Sequence, residues 1–276
     1  MLQIGQYNNL IAKRQTSNGW YLVAGGEEVL LPVKHVPEGM KEGDEVNVFV
    51  YTDSEDRPVA VSDTPRAVVG DIVSLSVVDV SRHGAFLDWG LEKDLFVPFR
   101  EQQEKMEKGR LYAVCVCLDH QSGRVIGTSK IRSFLEAPDE GIEEGKEYEG
   151  IVFDKTDLGF KVVFAGKYEG LLYANEVFNP LYTGENVKVY VHRVREDGKI
   201  DLSLRPAGYA AVKESVDPVY DQLQEAGGYL PYGDHSDPEA IRQKFGMSKK
   251  QFKKVIGALY KAGKIEIDQK GIYLPE

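Results

Sequence analysis

Between Arg242 and Lys264 the chain places eight basic residues, Arg242, Lys244, Lys249, Lys250, Lys253, Lys254, Lys261 and Lys264, and no acidic one. Cations at that density suit phosphate contact, in which ammonium groups replace the counter-ions of a polyanion. A solvated lysine face on a helix used for protein contact is the alternative. Lysine rather than arginine suits backbone contact more than base reading, because bidentate recognition of guanine favours the guanidinium. The chain as a whole is acidic, with a net charge of −10 over 276 residues. Residues 1–66 and 137–206 carry the excess, six basic against ten acidic and nine against fourteen. Residues 67–136 hold nine against ten, and 207–276 ten against ten.

Side chains from which catalysis is commonly built are present but not assembled. The five histidines, His35, His83, His120, His192 and His235, are scattered, and there is no Walker loop, Gly-x-Ser-x-Gly elbow or His-Glu-x-x-His. Cys115 and Cys117 are one residue apart in the apolar run Tyr112 to Leu118, so in a strand both face one way. Two cysteines without a nearby histidine pair are too few for a structural zinc site and read as buried thiols. The acidic pairs Asp139-Glu140 and Glu143-Glu144 fall in linker-like sequence and read as solvated surface rather than a metal site. The reading is a protein that is not an enzyme, with no cofactor and no metal.

One pattern must position whatever these residues do, and it occurs three times at intervals of about 70 residues. In the second copy Gly70 to Leu75 opens an alternating strand, His83 to Gly90 supplies another, Asp94 to Pro98 a third, Leu111 to Leu118 a fourth, and Arg124 to Ser129 a fifth. The third copy repeats the order from Gly145 to Arg205, and the first, most worn, from Ile4 to Ser62. Five short period-two strands with Asn-Gly, Gly-Gly and Asp-Gly turns specify a small barrel, whose closure removes the sheet edges. Trp89 and Phe96 are expected to pack into it.

After Asp217 the period changes to 3.6. Asp217-Pro218 predicts a capped helix that buries Val219, Tyr220 and Leu223 and stops at Gly227-Gly228. Ser236-Asp237-Pro238-Glu239 starts a second helix through Phe245. Ser248-Lys249-Lys250-Gln251 is a capping box for a third, on which Phe252, Val255, Ile256 and Leu259 form the apolar stripe. Lys250, Lys254 and Lys261 fall opposite that stripe, with Lys253 to one side. Lys264 to Asp268 and Gly271 to Leu274 predict a hairpin. Three helices and a hairpin make a winged helix-turn-helix.

The run Gly84-Ala85-Phe86-Leu87-Asp88-Trp89-Gly90 and the closing Gly123-Arg124-Val125-Ile126-Gly127-Thr128-Ser129-Lys130 resemble the S-one type RNA-binding domain. The third copy resembles it through Gly170-Leu171-Leu172-Tyr173 and Gly198 to Arg205. Three such domains and a winged helix resemble the conserved virulence factor B family of bacterial RNA-binding regulators, over nearly the whole chain. In such barrels bases stack on aromatic faces of strands two and three while phosphates follow a basic edge. By motif position, the two strand-two aromatics fall on His83 and Phe86, on Asn18 and Tyr21, and on Leu158 and Lys161 in the second, first and third copies. The strand-three histidine falls on Val97, Leu31 and Tyr173. Supporting cations are Arg82, Arg124, Lys130 and Arg132 in the second copy, and Arg193, Arg195, Lys199 and Arg205 in the third. No copy carries the complete aromatic set; the second comes nearest, and the first is open to a purely structural part.

The fold expected is mainly β: three tandem five-stranded OB-fold barrels at 1–66, 67–136 and 137–206, then an α+β winged-helix domain at 207–276. The resemblance implies single-stranded RNA as partner in a post-transcriptional role, and Met1 to Asn9 lack the basic-then-apolar order of a signal peptide, so the protein is expected in the cytoplasm. Candidate contacts are Arg82, His83, Phe86, Arg124, Lys130, Tyr21, Lys161, Tyr173, Arg205, Lys249, Lys250, Lys253, Lys254 and Lys261. No membrane partner is expected, since no apolar run approaches the roughly 20 residues of a span. DNA and ribonucleoprotein components remain as partners of two other readings: a DNA-binding transcription regulator using the winged helix, and a protein-interaction scaffold.

Overall fold

The computed structural model describes residues 1–276 apart from 54, 139, 140, 178, 179, 207–217, 262, 269 and 276. The expected Asp217 cap and the Asp139-Glu140 pair lie outside the described residues.

Three five-stranded barrels follow one another. The first comprises β1 (Gln6–Thr16), β2 (Gly19–Ala24), β3 (Glu27–Pro32), β4 (Glu45–Thr52) and β5 (Pro58–Val61), closed in the order β1-β2-β3-β5-β4. The second holds β6 (Ile72–Val80), β7 (Gly84–Leu87), β8 (Leu95–Pro98), β9 (Leu111–Leu118) and β10 (Val125–Thr128). Its ladder runs β10-β9-β6-β7-β8, with β10 lying against β8. The third repeats the closed order with β11 (Glu147–Thr156), β12 (Gly159–Phe164), β13 (Tyr168–Tyr173), β14 (Asn186–Val194) and β15 (Ile200–Ser203). Each first strand has one register shift, at Ala12/Arg14, Val77/Asp79 and Val152/Asp154. A bulge there bends the long strand so that it serves two neighbours.

Strand two of every copy begins with a glycine for a steric reason. A Cβ on Gly19, Gly84 or Gly159 would stand 2.0, 2.3 or 2.1 Å from a carbonyl oxygen of strand three, Leu31, Val97 or Leu172. No side chain fits, so the motif glycine sets how closely strands two and three approach.

The barrels are not independent. One cluster of buried side chains takes Phe49, Tyr51 and Val61 from the first barrel and Leu75, Trp89, Leu95 and Val97 from the second. Trp89 is buried as expected, but at the seam: its ring meets Phe49 and Tyr51 edge-on at 5.7 and 6.1 Å, and its Nε1–H donates to the Lys93 carbonyl at 2.6 Å. A second seam packs Ile72, Ala113, Cys115 and Ile131 of the second barrel against Phe153 and Val163 of the third. Burial pushes the Cys115 thiol of this seam up to about 12 and that of half-buried Cys117 to about 11, so both stay protonated at neutral pH.

The last region packs α1 (Pro218–Glu225), α2 (Pro238–Phe245) and α3 (Lys249–Lys261) over a small sheet of β16 (Tyr229–Leu230), β17 (Glu266–Ile267) and β18 (Ile272–Tyr273), ordered β16-β18-β17. The Asp237 carboxylate caps α2 by accepting from the N–H groups of Glu239 and Ala240, and Gly246 ends it in the left-handed region at φ 66°. The capping box of α3 is reciprocal: Gln251 N–H donates to Ser248 Oγ at 3.3 Å, and Ser248 N–H to Gln251 Oε1 at 3.2 Å. Phe252, Ile256 and Leu259 are buried with Val219, Leu223, Ile241 and Ile272, and Val255 is half-buried beside them. The hairpin is shorter than expected, and β16 joins it as a third strand. Among the described residues no helix is long and apolar enough to cross a membrane.

Candidate nucleic-acid interface

The position two residues after the strand-two glycine points outward in every barrel and faces an outward residue of strand three: Tyr21 opposite Leu30, Phe86 opposite Phe96, Lys161 opposite Leu171. All six are half-buried. The surroundings of these pairs differ.

In the second barrel the Phe86 and Phe96 rings lie 5.2 Å apart at 39°, a tilted pair on the outer surface. The absent side chain of Gly84 makes room for it, since a Cβ there would also stand 2.9 Å from the Phe96 ring. Phe96 was expected in the core; the register turns it outward and buries Leu95 and Val97 instead. The same register corrects the strand-three position. Val97 and Leu31 are fully buried, whereas the partners of Gly84, Gly19 and Gly159 are Pro98, Pro32 and Tyr173. The equivalents of Tyr173 are therefore the two prolines, one residue on; a slip of one exchanges faces. Arg82 and His83 are exposed in the turn before β7, with the Arg82 Nε–H donating to His83 Nε2 at 2.9 Å. Lys130 Nζ donates to the Arg100 carbonyl at 2.5 Å, Arg124 pairs with Asp56 of the first barrel, and Arg132 with Asp154 of the third at 2.5 Å.

In the first barrel the guanidinium of Arg14 lies 3.8 Å above the centroid of the Tyr21 ring and is held there by Glu28 at 3.0 Å. Tyr21 is thus already covered. In the third barrel Lys161 pairs with Glu169 at 2.5 Å, and the Tyr173 hydroxyl accepts from Arg195, whose guanidinium grips Asp201 through Nε at 2.9 Å and a terminal nitrogen at 2.5 Å. Leu158, Lys161, Tyr173, Arg195 and Lys199 line a cavity of about 590 Å³ on this face. Arg205 is exposed beyond β15, its N–H donating to Ser203 Oγ at 3.1 Å.

On α3, Lys250, Lys253, Lys254 and Lys261 are exposed and Lys249 is half-buried. Lys253 pairs with Asp234 at 3.3 Å. Among the described residues Lys249, Lys250, Lys254 and Lys261 form no ion pair. Among the described residues, too, no group of three or more His, Cys, Asp or Glu side chains is placed to hold a metal ion.

Small barrels with outward aromatic positions, joined to a winged helix with a basic third helix, define a modular protein of nucleic-acid-binding type. Profiles agree: an S1 domain matches residues 4–62 and 69–130, an S1 RNA binding domain 142–205, and a CvfB-like winged helix domain 217–274. Uncharacterized protein YitL of Bacillus subtilis is 30% identical over 277 residues, spanning 95% of this chain and 90% of its own. Conserved virulence factor B of Staphylococcus epidermidis is 26% identical and that of Staphylococcus aureus 25%, each across 91% of this chain and 90% of the relative. A crystallised multidomain protein with nucleic acid binding domains from Streptococcus pneumoniae aligns over 99% of this chain and 98% of its own at 23% identity, with a TM-score of 0.48. The chain belongs to the conserved virulence factor B family.

Proposed function

We infer that this protein is a non-catalytic regulator that binds single-stranded RNA, acting after transcription in the cytoplasm. The observation that carries the reading is the Phe86–Phe96 ring pair, which stands outward on strands two and three, with Arg82 and His83 exposed in the turn before β7. Outward, half-buried rings offer sequence-tolerant stacking worth about 1 to 3 kcal/mol per base. Lys249, Lys250, Lys254 and Lys261, which form no ion pair among the described residues, supply backbone contact. Arg124, Lys130, Lys161, Tyr173 and Arg205 belong to the same reading as subsidiary contacts, and Tyr21 is the weakest member because Arg14 already lies on it.

The exposed Lys250, Lys254 and Lys261, without an ion pair among the described residues, also favour a second reading, a transcription regulator that sets α3 against duplex DNA. Fluorescence anisotropy with labelled single-stranded RNA and duplex DNA of equal length, across a salt series, separates the two. The expected result is RNA preference, with Lys250→Glu/Lys254→Glu weakening binding and flattening the log–log salt slope by about 1.4 for two lost phosphate contacts. Preference for the duplex would overturn the RNA reading, and binding to neither polymer would leave a protein scaffold.

A further inference from the structure

A turn of the first barrel holds two cations of the second. Lys93 Nζ donates to the Thr52 carbonyl at 2.9 Å and the Asp53 carbonyl at 2.8 Å. Arg124 pairs with the carboxylate of Asp56. The turn is braced for this: Asp53 accepts from the Glu55 and Arg57 N–H groups at 2.8 and 3.0 Å and from the Arg57 guanidinium at 2.9 and 2.8 Å. Asp56 occupies the left-handed region at φ 65°, which aspartate tolerates better than most side chains.

Arg124 follows Gly123 and precedes β10 as Lys199 follows Gly198 and precedes β15. Lys199 lines the cavity on the outward face of the third barrel. Arg124 therefore stands at the edge of the corresponding face of the second. The two cations are balanced differently: Lys199 by Asp197 of its own barrel at 2.8 Å, Arg124 by an acid of the neighbouring barrel.

We propose that Asp56 is an autoinhibitory counter-ion, occupying Arg124 until an RNA phosphate displaces it, so that the first barrel sets the affinity and salt response of the second. This rests on the second barrel being an RNA face. Displacement exchanges one oxyanion for another on the same guanidinium and returns the Asp56 carboxylate to water. Both side chains are about half exposed, 49% and 45%, and exposed pairs are weak enough to exchange.

The test uses the full chain, a labelled single-stranded RNA of mixed sequence and a sodium chloride series. Asp56→Asn is expected to tighten binding about two- to threefold at low salt, with a gain that shrinks as salt screens the wild-type pair. Asp56→Asn/Arg124→Gln should lose that gain. Binding by the wild type that Asp56→Asn leaves unchanged, or a gain that survives in the double variant, would overturn the counter-ion assignment alone. No binding by wild type or Asp56→Asn would overturn the RNA face with it, while binding seen only in Asp56→Asn would support the proposal.

Discussion

The first and second barrels have the same strands, the same strand-two glycine and the same outward pair of positions, yet they leave those positions in opposite states. Phe86 and Phe96 rest on each other, half-buried, with no cation over either ring among the described residues. Tyr21 carries the Arg14 guanidinium on its face, with Glu28 holding the arginine in place. The lesson is that a motif position fixes where a side chain points and not whether a ligand can reach it. In the first barrel the chain supplies the cation–π partner itself, worth about 0.5 to 1 kcal/mol at an exposed site.

The severest way to break the comparison is to remove what joins the two barrels. Trp89→Ala should cost about 3 to 5 kcal/mol by emptying the shared seam. In differential scanning calorimetry with tryptophan and tyrosine fluorescence as probes, both barrels should melt together at a lower temperature. A first barrel that keeps its own unshifted transition would show that the two are separate units. Next in size, Phe86→Ala/Phe96→Ala should weaken single-stranded RNA binding by about tenfold or more, whereas Tyr21→Ala should leave it within about twofold. Equal losses in the two variants would erase the distinction between open and covered rings. The smallest effect sharpens it: Arg14→Ala uncovers Tyr21 and should tighten binding by about two- to fivefold, the cation–π contribution expressed as affinity. That gain should vanish in Arg14→Ala/Tyr21→Ala.

The threefold repeat, the strand-two glycines and the caps of α2 and α3 were legible because each depends on local spacing. The strand-three register was not. In Leu95-Phe96-Val97-Pro98 the three residues before the proline are apolar, so alternation reads equally well either way. Only the ladder, with Gly84 opposite Pro98, decides that Phe96 faces out and Val97 in. The shared seams were missed for a related reason, since period two says which face of a strand is buried and not against what. A signal did exist: Val48-Phe49-Val50-Tyr51 and Tyr112 to Val116 are unbroken apolar runs, which strands buried on both faces produce. The acid partners of the barrel cations come from distant residues, as with Asp56 and Arg124, and no spacing rule reaches them.

The seam around Trp89 also sets an order of events at the ribosome. The chain is made from its N-terminus, so the first barrel is complete by Val61 while the strands that cover Phe49 and Tyr51 have yet to emerge. A chain stopped in that interval is expected to leave the aromatic patch uncovered, a surface of the kind that promotes association.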